Sequence, residues 1–282
     1  MLYNVGIIVG TVWFTGGVNL FGWQIFDGGI MGVALGVVLG SFLQLIVSAV
    51  GLAGLGFDYN FKIYWRNKGF RKVLSLLPAR SVDQGMDYVV SLVEVNLASR
   101  LVDGTVRAYQ QALTLHMMPI NLIGVAISNA AFPQLTEHLG EGRNDLFQKD
   151  LRSLLRIIFW MALPVSVVIF FTRGYVVHFI RNGGNQLIAG ILGCLVVAIL
   201  FRTIYHMAAR AFYARQDTKT PLYISIFSIS LNIILAIVLS MVLKMGAYGL
   251  AWAQSTVAVL EVVVLLAVMN RQMPKLFDMT FV

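Results

Sequence analysis

The stretch Val73–Leu101, VLSLLPARSVDQGMDYVVSLVEVNLASRL, decides how this chain is read. It is long and apolar enough to cross a bilayer, for which about 20 residues suffice. Yet it carries Arg80, Asp83, Gln84, Asp87, Ser91 and Glu94. On a helix advancing about 100° per residue, these six fall within an arc of about 100°. The remaining circumference is largely Val, Leu, Met, Tyr and Ala. A charged side chain at mid-membrane costs at least ~2.5–3.5 kcal/mol, so four on one segment must pair or face water. Arg80 reaches Asp83 and Asp87 at helical spacing. The stretch is therefore expected to be a membrane helix with a wet, charged face turned toward the rest of a bundle.

Working outward, the composition agrees. Of 282 residues, 58% are hydrophobic and 12% charged, and the mean hydropathy is +0.79. A soluble domain carries about a quarter charged residues. The apolar runs are of helical length, not the ~10-residue alternating segments of barrel strands. The expected fold class is an all-α integral membrane protein of about eight transmembrane helices. The net charge of +8 marks cytoplasmic loops rather than nucleic-acid binding. A lone Cys194 excludes an intrachain disulfide. No basic stretch precedes the first apolar residues, so the amino terminus reads as a first helix, compatible with an internal start in a longer chain, and not as a signal peptide.

Eight spans are expected, at about 2–20, 29–52, 73–101, 106–132, 151–172, 187–209, 222–243 and 248–269. The second begins on a ladder of Gly28, Gly32, Gly36 and Gly40, which lets another helix approach closely. Residues 56–72, GFDYNFKIYWRNKGFRK, read as a basic interfacial linker and the best domain boundary. Pro119 predicts a kink in the fourth span, and residues 133–150 read as a polar connector. Fourteen of the 21 Lys and Arg residues fall after even-numbered spans or in the tail, five fall on the opposite side, and Arg80 and Arg202 lie within spans. Both termini are thus expected in the cytoplasm. Thr220-Pro221 reads as an N-cap followed by a first-turn proline. Glu261 is alone in the last span, where helix–helix hydrogen bonding is expected.

Chemistry is sparse. No Gly-rich loop ends in Lys-Ser or Lys-Thr. His116, His138, His178 and His206 lack metal spacing, and no Gly-x-Ser-x-Gly elbow occurs. Charged residues inside a many-helix bundle suit moving a solute better than transforming one, so the expectation is a transporter and not an enzyme.

Two runs carry a family resemblance: Met118-Pro119-Ile120-Asn121-Leu122-Ile123-Gly124 through Phe132-Pro133-Gln134-Leu135, and Ala209-Arg210-Ala211-Phe212-Tyr213-Ala214-Arg215-Gln216-Asp217-Thr218-Lys219-Thr220-Pro221. They resemble the MurJ (MviN) lipid II flippases of the MOP exporter superfamily, as does the opening Leu2-Tyr3-Asn4-Val5-Gly6. The resemblance implies a two-lobe bundle in the bacterial cytoplasmic membrane. Residues 1–55 would be the last two helices of the amino lobe, 56–72 the cytoplasmic linker, and 73–282 the six-helix carboxyl lobe with its tail. The chain would then be a carboxyl-terminal fragment that works with the missing amino-terminal helices.

The implied cargo is lipid II, a polyprenyl diphosphate bearing a sugar-peptide, and the implied surroundings are membrane lipid. Cavity candidates are Arg80, Asp83, Asp87, Arg107 and Thr114. Aligning on Met118-Pro119 puts Leu113 and Thr114 where many relatives carry an Asp-Arg pair, so Arg80 or Arg107 compensates or the cargo differs. The resemblance also implies a sodium site from Glu94, Asn232, Gln254 and Ser255, with Ala236 where a second carboxylate can occur. A protonatable Glu94 and a purely structural one are the open alternatives. Arg210, Arg215, Asp217, Lys219 and Pro221 form a cytoplasmic loop motif that serves topology and capping, or contacts headgroups. Two rival functions stand beside lipid II transport: export of another polyprenyl-linked glycan or a drug, and a non-transporting scaffold for cell-wall enzymes.

Overall fold

The computed structural model describes residues 2–16, 18–20, 23–26, 28–53, 67–180 and 185–273. The chain divides into two compact units, Met1–Trp65 and Arg66–Val282.

In the first unit, α1 (Leu2–Val9) runs into a π-helical turn, Gly10–Phe14. A short antiparallel hairpin follows, β1 (Val18–Leu20) with β2 (Trp23–Phe26), and then α2 (Ile30–Ala53). The expected first span therefore ends as helix at Phe14, not Leu20. Glycines at 16 and 17 are poor helix formers, and the Gly29 N–H donates to the Thr15 carbonyl at 2.8 Å, tying the hairpin's base to α2. This hairpin is the only strand structure among the described residues. The glycine ladder is where α1 packs. A Cβ on Gly10 would lie 2.7 Å from Gly36 Cα, and one on Gly40 would lie 2.7 Å from the Tyr3 carbonyl oxygen. Backbone meets backbone, leaving no room for a side chain.

The second unit contains α3 (Lys68–Ser99), α4 (Thr105–Pro119), α5 (Ala126–Gly140), α6 (Asn144–Ile180), α7 (Gln186–Ala214), α8 (Lys219–Ile237) and α9 (Ala247–Gln272). A π-helical turn, Ile120–Val125, joins α4 to α5, and another, Val238–Val242, extends α8. Pro119 lacks an N–H and crowds the preceding turn; the wider turn after it absorbs the misfit.

Six described helical segments are long and apolar enough to cross a membrane, and Leu2–Phe14 and Tyr88–Ser99 are shorter apolar helices. Together they are consistent with the eight expected spans. Large apolar side chains such as Phe171, Tyr175 and Phe179 on α6 are exposed. That arrangement suits lipid, whose tails are as apolar as the side chains.

Other boundaries also differ from expectation: α6 runs to Ile180 and α7 to Ala214, past the expected ends at 172 and 209. The last residues of the expected linker, 68–72, are helical, because the Asn67 side chain accepts the N–H of Gly69 at 2.8 Å and starts α3 there. The expected connector 133–150 is mostly helix: α5 continues to Gly140 and α6 begins at Asn144. Its polar composition hides a buried stripe, since Ala131, Leu135, Phe147 and Leu151 pack in one core. Its polar residues serve that corner, where Asp150 accepts from Gln134 at 2.8 Å and lies 3.0 Å from His138 Nε2.

Helix α7 is the axis of this unit and touches α4, α5, α6, α8 and α9. Toward its carboxyl end, Met207, Ala208, Ala211 and Phe212 pack with Leu265 and Met269 of α9. Toward its amino end, Ile191, Leu192 and Leu195 pack with Tyr109, Leu250 and Ala253. Small residues on both helices let them approach closely. Between these two apolar cores lies a polar cavity.

Candidate functional site

The cavity has a volume of about 420 Å³ and is walled by α3, α4, α5, α7, α8 and α9, with Ile120 of the π-helical turn. Its lining is mixed: polar side chains from these helices share the wall with Val90, Met117, Phe132, Ile229 and Val257.

Glu94 of α3 is 1% exposed. Its Oε2 accepts from Gln254 Nε2 at 2.8 Å and from the Tyr109 hydroxyl at 3.0 Å, and its Oε1 accepts from the same amide at 3.1 Å. Three bonds from α4 and α9 thus hold a carboxylate that α3 alone could not bury. Asn232 of α8 is also buried, and its Oδ1 has no hydrogen-bond partner among the described residues. His116 of α4 places Nδ1 3.0 Å from the Leu113 carbonyl oxygen. In the neutral ring that nitrogen carries the hydrogen. Nε2, without a partner among the described residues, then offers a lone pair. On α7, Arg202 Nη1 lies 3.3 Å from Glu261 Oε2, and the Tyr205 hydroxyl is 3.3 Å from the Ser225 hydroxyl. His206 and Arg210 line the same space.

The expected residues distribute unevenly. Glu94, Asn232 and Gln254 come together at the cavity, with Ser91 and Leu113 also on its wall. Ser255 does not join them. Its hydroxyl donates to the Cys194 carbonyl at 2.6 Å, a bond between α9 and α7. Thr114 is exposed and donates to the Gln110 carbonyl of its own helix at 2.9 Å, facing away from the cavity that Leu113 lines. Arg107, near the start of α4, is exposed and off the cavity. The side chains of Arg80, Asp83, Gln84 and Asp87 lie outside the described residues, so the charged stripe is placed only at Ser91 and Glu94.

The loop motif is chiefly a helix start. Asp217, and not Thr220, caps α8: its carboxylate accepts from the N–H of Lys219 at 3.2 Å, and from the N–H and hydroxyl of Thr220 at 3.0 and 2.6 Å. Partial burial pushes this carboxyl up. The bonds from Thr220, from the Lys219 N–H and from Gln272 outweigh that and hold it below the ordinary carboxylate range. Pro221 is buried in the first turn, where a missing N–H is harmless. Arg215 donates to Gln272 Oε1 at 2.7 Å, tying the loop to α9.

Glu261, alone on its own span, meets a neighbouring helix as expected, and its partner there is Arg202 of α7. Sequence reasoning counted Arg202 as an intramembrane cation without giving it a role. A signal was present: Arg202, His206 and Arg210 recur every four residues, and Glu261 is the sole acid of the following even span.

Among the described residues, no group of three or more His, Cys, Asp or Glu side chains converges as a metal site. The oxygens of Glu94, Asn232 and Gln254 suit a hard cation rather than a transition metal.

Comparisons with known proteins converge. A family model described as "Lipid II flippase MurJ" matches residues 1–281. A probable lipid II flippase MurJ of Borreliella burgdorferi is 26% identical over 233 residues, covering 80% of this chain and 46% of the relative. One from Thermotoga maritima is 25% identical over 261 residues, covering 90% of this chain and 49% of the relative. The chain spans about half the length of these curated relatives. A solved structure of a lipid II flippase MurJ in an inward closed conformation shares the fold, with a TM-score of 0.69 and 24% identity, over 95% of this chain and 54% of that one.

Proposed function

This chain belongs to the lipid II flippase MurJ family, and from that premise we propose that it carries lipid II across the bacterial cytoplasmic membrane by alternating access. The observation that carries the reading is a cavity whose wall includes Glu94, Arg202, Arg210, Glu261 and the amides of Asn232 and Gln254, inside a largely apolar helical unit. Such a wet pocket lets a charged headgroup pass hydrocarbon while its polyprenyl tail stays in lipid. No bond is made or broken.

Residues 1–55 are assigned to the end of an amino-terminal lobe, 56–72 to a cytoplasmic linker and 73–282 to the carboxyl-terminal lobe and tail. Both termini face the cytoplasm, on the side richer in Lys and Arg. Arg80, Asp83 and Asp87, which share the face of Glu94 by helical period alone, are the further residues proposed for the path. Glu94, with the oxygens of Asn232 and Gln254, holds a sodium ion or takes up a proton. The bound positive charge neutralises the carboxylate. Return of the unloaded carrier is biased by the membrane potential, about 2.3 kcal/mol per charge per 100 mV.

The test is depletion of the resident flippase in a bacterium that expresses this protein. Restored growth, with lipid II reaching the outer leaflet, is expected, and Arg80→Ala abolishes it. Absence of export with the protein present in the membrane overturns the reading. Full export in Arg80→Ala removes only that residue.

Leu113 on the cavity wall favours a second reading, transport of another polyprenyl-linked glycan. Equal binding of lipid II and unrelated polyprenyl glycans would support it.

A further inference from the structure

One wall of the cavity is a single face of α7. Arg202, Tyr205, His206, Arg210 and Tyr213 all line it, and at about 100° per residue they share an arc of about 140°. Arg202 and Arg210 are about 12 Å apart along the axis. The face is thus a column of two guanidiniums with phenol and imidazole rings between and beside them.

The inner guanidinium needs a physical reason. Arg202 is 28% exposed and its counter-ion Glu261 only 4%. Desolvation cancels much of the Coulomb attraction of such a pair. Contact between α7 and α9 is already supplied by Ala208, Ala211, Val262 and Leu265. An intramembrane ion pair that packing does not require, set on a cavity wall, marks a solute path. Arginine presents a planar fork of donors that matches phosphate oxygens two at a time.

We propose that this face of α7 is an anion ladder for the diphosphate of the cargo. Arg210 receives the diphosphate toward the carboxyl end of α7, Arg202 takes it about 12 Å deeper, and Glu261 is the resident counter-ion that the phosphate displaces. The tyrosine hydroxyls supply neutral donors along the column. Exchange of one anion for another keeps Arg202 neutralised at every stage, so the deep position neither traps passing anions nor holds the cargo too tightly to release. The ladder rests on the reading of the protein as a carrier of a lipid diphosphate, and it adds the residues that hold the phosphates within this lobe.

The protein as its gene encodes it is placed in nanodiscs, and binding of undecaprenyl diphosphate, undecaprenol and inorganic diphosphate is measured by native mass spectrometry and competition. The double variant Arg202→Gln/Glu261→Gln removes both charges together, so no buried charge is left unpaired. It is expected to bind undecaprenyl diphosphate about tenfold or more weakly, with undecaprenol unchanged. Arg210→Gln weakens the same probe, and Glu261→Gln alone, lacking the competitor, tightens it. Wild-type affinity in the double variant, or weakening by Glu261→Gln, overturns the ladder. If inorganic diphosphate competes in the wild type but not in the double variant, phosphate alone is read. If it does not compete while the variant effects persist, the tail must seat first; either result supports the ladder. A wild type that prefers undecaprenyl diphosphate no more than undecaprenol refutes the carrier reading as well. A double variant that binds and transports like wild type refutes the ladder alone.

Discussion

Replacing Glu94 separates its hydrogen bonds within the bundle from the ion-holding role proposed for it. Glu94→Ala and Glu94→Gln both remove the carboxylate, so relief of its desolvation is common to both and cancels between them. They differ in what they leave behind. Glu94→Gln keeps the volume and a carbonyl oxygen for the Tyr109 hydroxyl, and the Gln254 amide turns over to match. Glu94→Ala leaves that hydroxyl without an acceptor. Tyr109 is 0% exposed, so water does not replace the bond, and an unsatisfied buried donor costs about 1–3 kcal/mol. The space left by the truncated side chain adds about 1 kcal/mol. Glu94→Ala is therefore expected to be less stable than Glu94→Gln by about 2–4 kcal/mol, a Tm difference of roughly 3–7 °C for a chain of this size. Thermal unfolding in nanodiscs, followed by tryptophan fluorescence, reads it. Equal Tm values for the two variants would refute the reasoning, because they would mean that Tyr109 does not depend on this acceptor. The same samples test the charge. Sodium at a hundredfold its dissociation constant stabilises a protein that binds it by about 2.7 kcal/mol. Wild type should show such a gain and Glu94→Gln none. A gain retained in Glu94→Gln removes sodium from Glu94.

Three further outcomes are expected. Gly36→Ala puts a Cβ 2.5 Å from Gly10 Cα, whereas Gly51 has nothing within 4 Å. Overpacking then costs about 1–3 kcal/mol at position 36, while Gly51→Ala is neutral or mildly stabilising, as a comparison of unfolding temperatures will show. Asp217→Ala removes the α8 cap, at a cost of about 1 kcal/mol. Because its folded carboxyl sits below the ordinary value, the stabilisation is present at neutral pH and is lost as pH falls through that lowered value. Amide exchange at Lys219 and Thr220 should accelerate over that acid range in wild type and be fast throughout in the variant. Ser255→Ala loses one helix–helix hydrogen bond, about 0.6 kcal/mol, and leaves the sodium response intact; a lost response would return Ser255 to the ion site.

The helical membrane class was legible because it depends on sums and periods. A run of apolar residues long enough to span hydrocarbon satisfies its own backbone only as a helix. The glycine ladder announced close packing because absence of side chains is visible in the letters. Polar stretches were harder. Residues 133–150 look like a loop until Leu135 and Phe147 are seen to share a core. The cap of α8 went to Asp217 rather than Thr220 because the geometry of the turn, with Gln216 at a φ of 62°, brings that carboxylate onto the first N–H groups.

Which polar groups meet is another matter. Glu94 and Gln254 are 160 positions apart, and Arg202 and Glu261 lie on different helices. Hydropathy places each on a span, but the rotation of one helix against the next chooses the wall each joins. Thr114 and Leu113 are adjacent in the chain, yet a turn of about 100° sends one outward and the other into the cavity. Composition and period are properties of a single segment and need no partner. A cavity exists only once six helices have packed, and their packing is set by side-chain volumes spread over the whole lobe.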